Sequence, residues 1–206
     1  MKNRTASISR ATHETDVSVS LNLDGTGKGN IRTGIQFLDH MLMLFAHHGL
    51  FDLDIVCKGD LGVDGHHSVE DVGICLGEAF TKALGDKSGI TRFAHAYYPM
   101  DEALARVVAD LSGRPFIAYR VETSTQRVGE LDTELMEEFW RAVAMHGRMN
   151  LHIELLYGKN AHHIFEGIFK AAARALSLAV SMNARVKGVP STKGTLVSGQ
   201  WPVISQ

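Results

Sequence analysis

The sequence predicts an α+β fold: an internally duplicated two-layer sandwich of two similar ββ(β)αβα halves, with helices packed on one face of the sheets. The first observation behind this is an internal repeat. Leu38–Ile55, "LDHMLMLFAHHGLFDLDI", lies over Met136–Ile153, "MEEFWRAVAMHGRMNLHI", without a gap and keeps "HG" and "L-x-I" in register at a separation of 98 positions. With two residues fewer in the next connection, "HHSVE" falls on "HHIFE". Self-similarity at a fixed offset means a structural unit laid down twice. The second observation is that strand and helix periodicities alternate in the same order in each copy. The third is a hydrophobic content of 45% over 206 residues, enough for a real core. The expectation is one domain over 1–206, with halves over about 5–91 and 92–185 and a C-terminal loop segment over 186–206.

The elements follow in order. "DVSVSLNLDG" places Val17, Val19, Leu21 and Leu23 on one face of a half-buried strand that ends in a turn, and "DEALARVVADLSG" is its counterpart. Thr33 and Gln36 stand at capping-box spacing, after which Phe37, Met41, Leu44 and Phe45 recur at helical intervals. Leu135, Phe139 and Val143 do the same in the second half. A short strand comes next, "FDLDIVC" or "NLHIELLY", then a glycine-containing loop. The last helix of each half starts near its HHxxE motif, with Asn160 the N-cap of the second. His48 and His146 precede Gly49 and Gly147 and read as helix ends. "VKGVPSTKGTLVSGQWP" is loop-like. "GTGKGN" at Gly25–Asn30 follows a strand in a hairpin-like setting and lacks G-K-[ST], which argues against a nucleotide loop.

Composition excludes several function classes. Twenty-one basic against 23 acidic residues give a net charge of -2, without a basic block, so nucleic acid is not the expected partner. Cys57 and Cys75 lack metal or redox spacing and read as reduced core residues of a cytoplasmic protein. "MKNRTASISR" lacks the apolar run of a signal peptide, and Arg174 interrupts the best candidate for a membrane helix. No membrane partner is expected.

The oddity is histidine. Of eleven, nine fall in "LDH", "AHHG", "GHHS", "MHG", "LHI" and "AHHI". Adjacent helical residues point about 100° apart, so His66 and His67 cannot both face one ion from a regular helix. Glu70 lies four residues after the first and three after the second, near both faces. His162, His163 and Glu166 repeat the spacing. The economical reading is two metal ions, each collecting ligands from both copies. A mixed imidazole and carboxylate set leaves Mn, Fe and Zn open.

At this point the motifs resemble a known family. "FLDHM" at Phe37–Met41, "HGLFDL" at His48–Leu53, "HHSVEDVGICLGEA" at His66–Ala79, "DLSGRP" at Asp110–Pro115, "NAHHIFEGIFKAAARAL" at Asn160–Leu176 and "PSTKG" at Pro190–Gly194 occur in the order seen in imidazoleglycerol-phosphate dehydratases. The resemblance spans nearly the whole chain and points to the monofunctional form. It implies a hydro-lyase of histidine biosynthesis that converts imidazole glycerol phosphate to imidazole acetol phosphate. It also implies two Mn2+ ions per active site and a large homo-oligomer, commonly of 24 subunits, with sites shared between chains.

By that resemblance the metal ligands are His40, His66, His67, Glu70, His162, His163 and Glu166. Many members carry a histidine in "EHFF" where this chain reads "EEFW", which puts Glu138 at an eighth position; the repeat alignment independently pairs Glu138 with His40. Glu14, in "THETD", matches the family's acid/base, and Arg92, Arg114, Ser191 and Lys193 match its phosphate-binding positions. The implied chemistry has the two ions grip the ring nitrogens and favour imidazolate, which expels the neighbouring hydroxide and leaves a diazafulvene while a carboxylate moves protons. Asp101 and Glu102 in "PMDEAL" stand near the site with no role fixed by sequence. The rival readings are a metal-dependent hydrolase, against which the full motif order argues, and a non-catalytic metal-storing oligomer, which gives no reason for Arg92, Arg114 and Lys193 to converge.

Overall fold

In the computed structural model, which describes residues 4–196, the first half opens with an antiparallel hairpin of β1 (Thr5–Ala11) and β2 (Thr15–Asn22). Then come β3 (Gly29–Arg32), α1 (Gln36–Gly49), β4 (Asp52–Gly59) and α2 (His66–Leu84). The second half repeats this with β5 (Phe93–Met100), β6 (Ala103–Asp110), β7 (Phe116–Arg120), α3 (Leu135–His146), β10 (Asn150–Tyr157) and α4 (Ala161–Val180). It adds one small hairpin, β8 (Arg127–Val128) and β9 (Leu131–Asp132), before α3. The sheets have matching strand orders, β1-β2-β4-β3 and β5-β6-β10-β7. In each, one parallel pair, β3 with β4 or β7 with β10, sits beside antiparallel ladders. Residues 197–206 of the expected C-terminal loop segment lie outside the described residues; 184–196 form no helix or strand.

Alternation builds each sheet with one face inward. Val17, Val19 and Leu21 of β2 are buried, as are Leu53, Ile55 and Cys57 of β4, while the residues between them are not. Helices cover only that face, and the halves meet helix against helix: α1 packs on α4 and α2 on α3. All four helices contribute to one aromatic cluster. Phe45 of α1 lies 6.2 Å from Phe80 of α2 and 6.1 Å from Trp140 of α3, and Trp140 lies 4.8 Å from Phe169 of α4 (ring centroids). The halves therefore share a single core. No helix among the described residues is long and apolar enough to cross a membrane.

Two local expectations are corrected. The capping box at Thr33 and Gln36 does not form, because the helix begins at Gln36 itself, two places too early for its side chain to close the box. Instead the Thr33 hydroxyl donates to Asp39 Oδ1 (2.6 Å), and Glu130 from the added hairpin accepts the free Phe37 N–H (3.3 Å). His146 ends α3 as expected, whereas α1 runs one residue past His48 to Gly49. The left-handed turns follow at Leu50 (φ 58) and Arg148 (φ 48). The glycines serve close packing: a Cβ on Gly49 would stand 2.5 Å from the Phe51 ring, and one on Gly147 2.6 Å from the Val143 carbonyl. Asn160 does cap α4, accepting the His162 N–H at 2.9 Å.

The crossing of α2 and α3 is close because α2 presents Gly73 and Gly77. A Cβ on Gly77 would lie 2.7 Å from the Gly147 nitrogen and 2.8 Å from the Val143 carbonyl, both backbone atoms. Gly77→Ala should therefore destabilise by about 1–3 kcal/mol despite alanine's better helix propensity. A thermal melt checks this; an unchanged or raised midpoint would show that the helices separate freely.

Candidate metal centre and anion-binding end

One cluster of ligand-type side chains closes across the two halves. His162 and Glu166 sit one turn apart on α4, and His40 reaches them from α1. His40 Nε2 lies 2.9 Å from Glu166 Oε1 and His162 Nε2 lies 3.4 Å from it. All three ligand atoms fall within 4.8 Å of one another, the one such group among the described residues. Glu166 is 7% exposed, and Lys170, a turn further along α4, donates to its Oε2 at 2.7 Å. Burial pushes this carboxyl up, but Lys170, His40 and His162 outweigh burial and hold it at about 2. Two imidazole nitrogens and a carboxylate oxygen that converge within 4.8 Å are a donor set that fits a divalent first-row ion.

The repeat places Glu138, His66 and Glu70 at the matching positions on α3 and α2. His66 is the first residue of α2 and Glu70 follows one turn later. This trio is not drawn into an equivalent cluster. Glu138 Oε2 instead lies 3.6 Å from Nε of Arg141 on its own helix. The difference is electrostatic: the second set has two carboxylates where the first has one, and like charges have no reason to converge without a cation between them.

His67 and His163, the second histidines of each pair, face elsewhere. His67 Nδ1 donates to Asp60 (3.0 Å), and its Nε2 lies 3.7 Å from Glu14 Oε1. His163 Nδ1 donates to Glu102 Oε2 (2.7 Å), and its Nε2 lies 3.8 Å from Asp101. The bonds to Asp60 and Glu102 raise both histidines above the ordinary imidazole value. Glu102 is held at about 2 by His163 first and then by the Asn160 N–H.

The cationic residues gather at the opposite end of the molecule. Phe93, Asp110, Asn150 and Phe116 form one cross-strand row. Arg92 precedes Phe93, forks onto Asp110 (2.8 and 3.3 Å) and donates to the Pro190 carbonyl (2.8 Å), which brings Ser191 and Lys193 alongside. Arg114 lines a cleft of about 680 Å³ with Phe116, Met145, His146, Arg148 and Asn150, and Glu78 closes its α2 side. Glu78 stands twelve residues after His66, about 18 Å along the helix at 1.5 Å per residue. Phe93 and Met100 bound β5, seven steps or about 23 Å apart, and Asp101 and Glu102 follow Met100 beside His163. Within one chain, then, Glu14 and the HHxxE histidines occupy one end, and Arg92, Arg114, Ser191 and Lys193 the other.

Three contributors were not singled out by sequence. Lys170 had a signal, the Glu-to-Lys spacing of four along a helix. Asp60 and Asp110 had none, since loop and strand carboxylates recur throughout the chain.

A family model described as Imidazoleglycerol-phosphate dehydratase matches residues 33–176. A protein of that name from Methylobacterium radiotolerans is 59% identical over 194 residues, 94% of this chain and 100% of the relative. One from Gluconacetobacter diazotrophicus is 57% identical, covering 94% of this chain and 98% of the relative. The imidazoleglycerol-phosphate dehydratase crystal structure from Staphylococcus aureus superposes with a TM-score of 0.79 at 41% identity, over 87% of this chain and 99% of that one. The enzyme from Pyrococcus furiosus gives 0.79 at 39%, over 91% and 99%.

The depressed Glu166 carboxyl sets a sign for acid stability. A folded value near 2 against 4.5 unfolded gives stabilisation that is present above 4.5 and lost as pH falls through 2. Glu166→Gln should therefore be less stable than the parent at neutral pH, with the gap closing between pH 4.5 and 2. Urea unfolding of the chelated proteins across that range reads it; a constant gap would mean that Glu166 is not held ionised.

Proposed function

The chain belongs to the imidazoleglycerol-phosphate dehydratase family, hydro-lyases of histidine biosynthesis, and we propose that it acts with two manganese ions per active site, in sites shared between chains of a homo-oligomer of about 24 subunits. The observation that carries this reading is the separation of the cationic end from the histidine end within one chain. A substrate that spans an imidazole and a phosphate needs both ends at once, which a neighbouring chain supplies.

His40, His162 and Glu166 would hold one ion, and His66, Glu70 and Glu138 the other. His67 and His163, turned away from these groups, would complete the ions of neighbours. Manganese held by these residues would favour loss of the imidazole N–H proton, so that the electron-rich ring could expel the adjacent hydroxide, which would leave with that proton as water, and the resulting diazafulvene would have an acidified C–H.

Everything else falls to side chains. Glu14, exposed on the turn between β1 and β2, takes the C–H proton, and the departing hydroxide leaves protonated as water. The enol that remains becomes the ketone of imidazole acetol phosphate. Arg92 spends three N–H groups on Asp110 and Pro190 and keeps two of its five for phosphate. Arg114 offers a planar fork to the phosphate oxygens, Lys193 a compact charge and Ser191 a hydroxyl.

The test is turnover of imidazole glycerol phosphate after chelation and after manganese is restored. Activity should return only with metal, and Glu14→Gln should bind metal yet lose roughly 10²–10⁴-fold in turnover. Co-assembly of Glu14→Gln with Arg114→Ala chains should recover activity that neither variant has alone, because some sites then draw an intact glutamate and an intact arginine from different chains. Mixed assemblies as inactive as their parents would sink the shared site.

A further inference from the structure

The duplicated fold puts two glutamates in the same place. Thr15 opens β2 and Ala103 opens β6, strands of equal length in matching positions, so Glu14 and Glu102 occupy the same turn in the two halves. They do different things. Glu102 accepts from His163 Nδ1 at 2.7 Å, and its other oxygen accepts the backbone N–H groups of Asn160 (2.8 Å) and Lys159 (3.2 Å). Glu14 faces the opposite nitrogen of its histidine, Nε2 of His67, at 3.7 Å.

The reason lies in a second broken equivalence. β4 and β10 are also equal in length, so Asp60, just after β4, corresponds to Gly158, just after β10. Asp60 accepts from His67 Nδ1 at 3.0 and 3.2 Å. Gly158 has no side chain to offer, and in that half the turn glutamate has taken over the same bond. An ionised carboxylate only accepts, so in each case the ring proton sits on Nδ1 and the lone pair of the neutral ring on Nε2.

We infer that Asp60 and Glu102 are positioning residues that hold His67 and His163 with Nε2 as the ligating nitrogen, and that Asp60 thereby frees Glu14, alone of the two turn glutamates, to act on substrate. This rests on the two-ion reading above. A carboxylate behind a ligating histidine fixes its tautomer and ring orientation and raises its basicity.

The experiment is manganese titration of the purified oligomer by calorimetry, without substrate, alongside turnover. Glu102→Ala should weaken one of the two ions per chain roughly 10–100-fold, and Asp60→Ala the other. Glu102→Gln, whose amide oxygen still accepts from His163, should recover much of the loss. Glu14→Gln should bind both ions as the parent does while turnover falls. Asn160→Ala controls for the start of α4, since it removes the cap without touching the His163 ring. The inference fails if Glu102→Ala binds both ions with parental affinity, or if Asn160→Ala weakens binding as much. It fails also if Glu14→Gln weakens binding as Glu102→Ala does, or if the parent takes up no manganese. A parent that binds two ions yet does not dehydrate the substrate would sink the reaction and Glu14's part in it, and the positioning of His67 and His163 would then stand or fall by the titration alone.

Discussion

Adjacent residues at the start of an α-helix diverge by about 100°, and the layout of the site follows from that divergence. His162 looks inward across the α1–α4 contact to His40 and Glu166, and His163, its neighbour, looks out to Glu102 and Asp101. His66 and His67 part in the same way at the start of α2. A pair of histidines adjacent in sequence thus points two ways in space, and in α4 the first of the pair meets His40 across the contact between the halves.

Duplication supplied the frame, and the departures from it assign the roles. The sheets and helix pairs keep the symmetry, whereas the aromatic cluster does not: Phe45, Phe80, Trp140 and Phe169 stand where the other half has Val143, Leu176, Leu42 and Gly73. Exposed polar positions are free to differ. Glu138 stands where the other half has His40, Asp60 where the other half has Gly158, and Glu14 and Glu102 share a turn but not a partner. Each change alters charge at an end of the molecule without disturbing the core beneath it.

Periodicity made most of the fold legible in the sequence. Val17, Val19 and Leu21 alternate and are buried, Phe37, Met41 and Phe45 recur and are buried, and the 98-position repeat anticipated the paired sheets. Two of the inward trio, His162 and Glu166, were legible from the HHxxE spacing, and His40 came from the family resemblance. Helix ends were less so. Gly49 and Gly147 look like C-terminal signals, yet close packing, against the Phe51 ring at one and Met149 and the Val143 carbonyl at the other, is what excludes a side chain there, and Leu50 and Arg148 make the left-handed turn. The separation of Arg92 and Arg114 from the histidines could not be read at all. It depends on which strand ends fall in one row, and sequence distance carries no information about that. Asp60 stayed hidden for a related reason: its bond to His67 is set by the path of a loop.

The contact between Lys170 and Glu166 carries a thermodynamic consequence. The buried Glu166 carboxylate has the Lys170 ammonium and two imidazole nitrogens within hydrogen-bonding distance. A divalent cation entering there would not find an empty negative well; it would have to displace hydrogen bonds and ring protons already in place. Capture at this position would then be an exchange of partners rather than an addition, its net affinity a small difference between large terms.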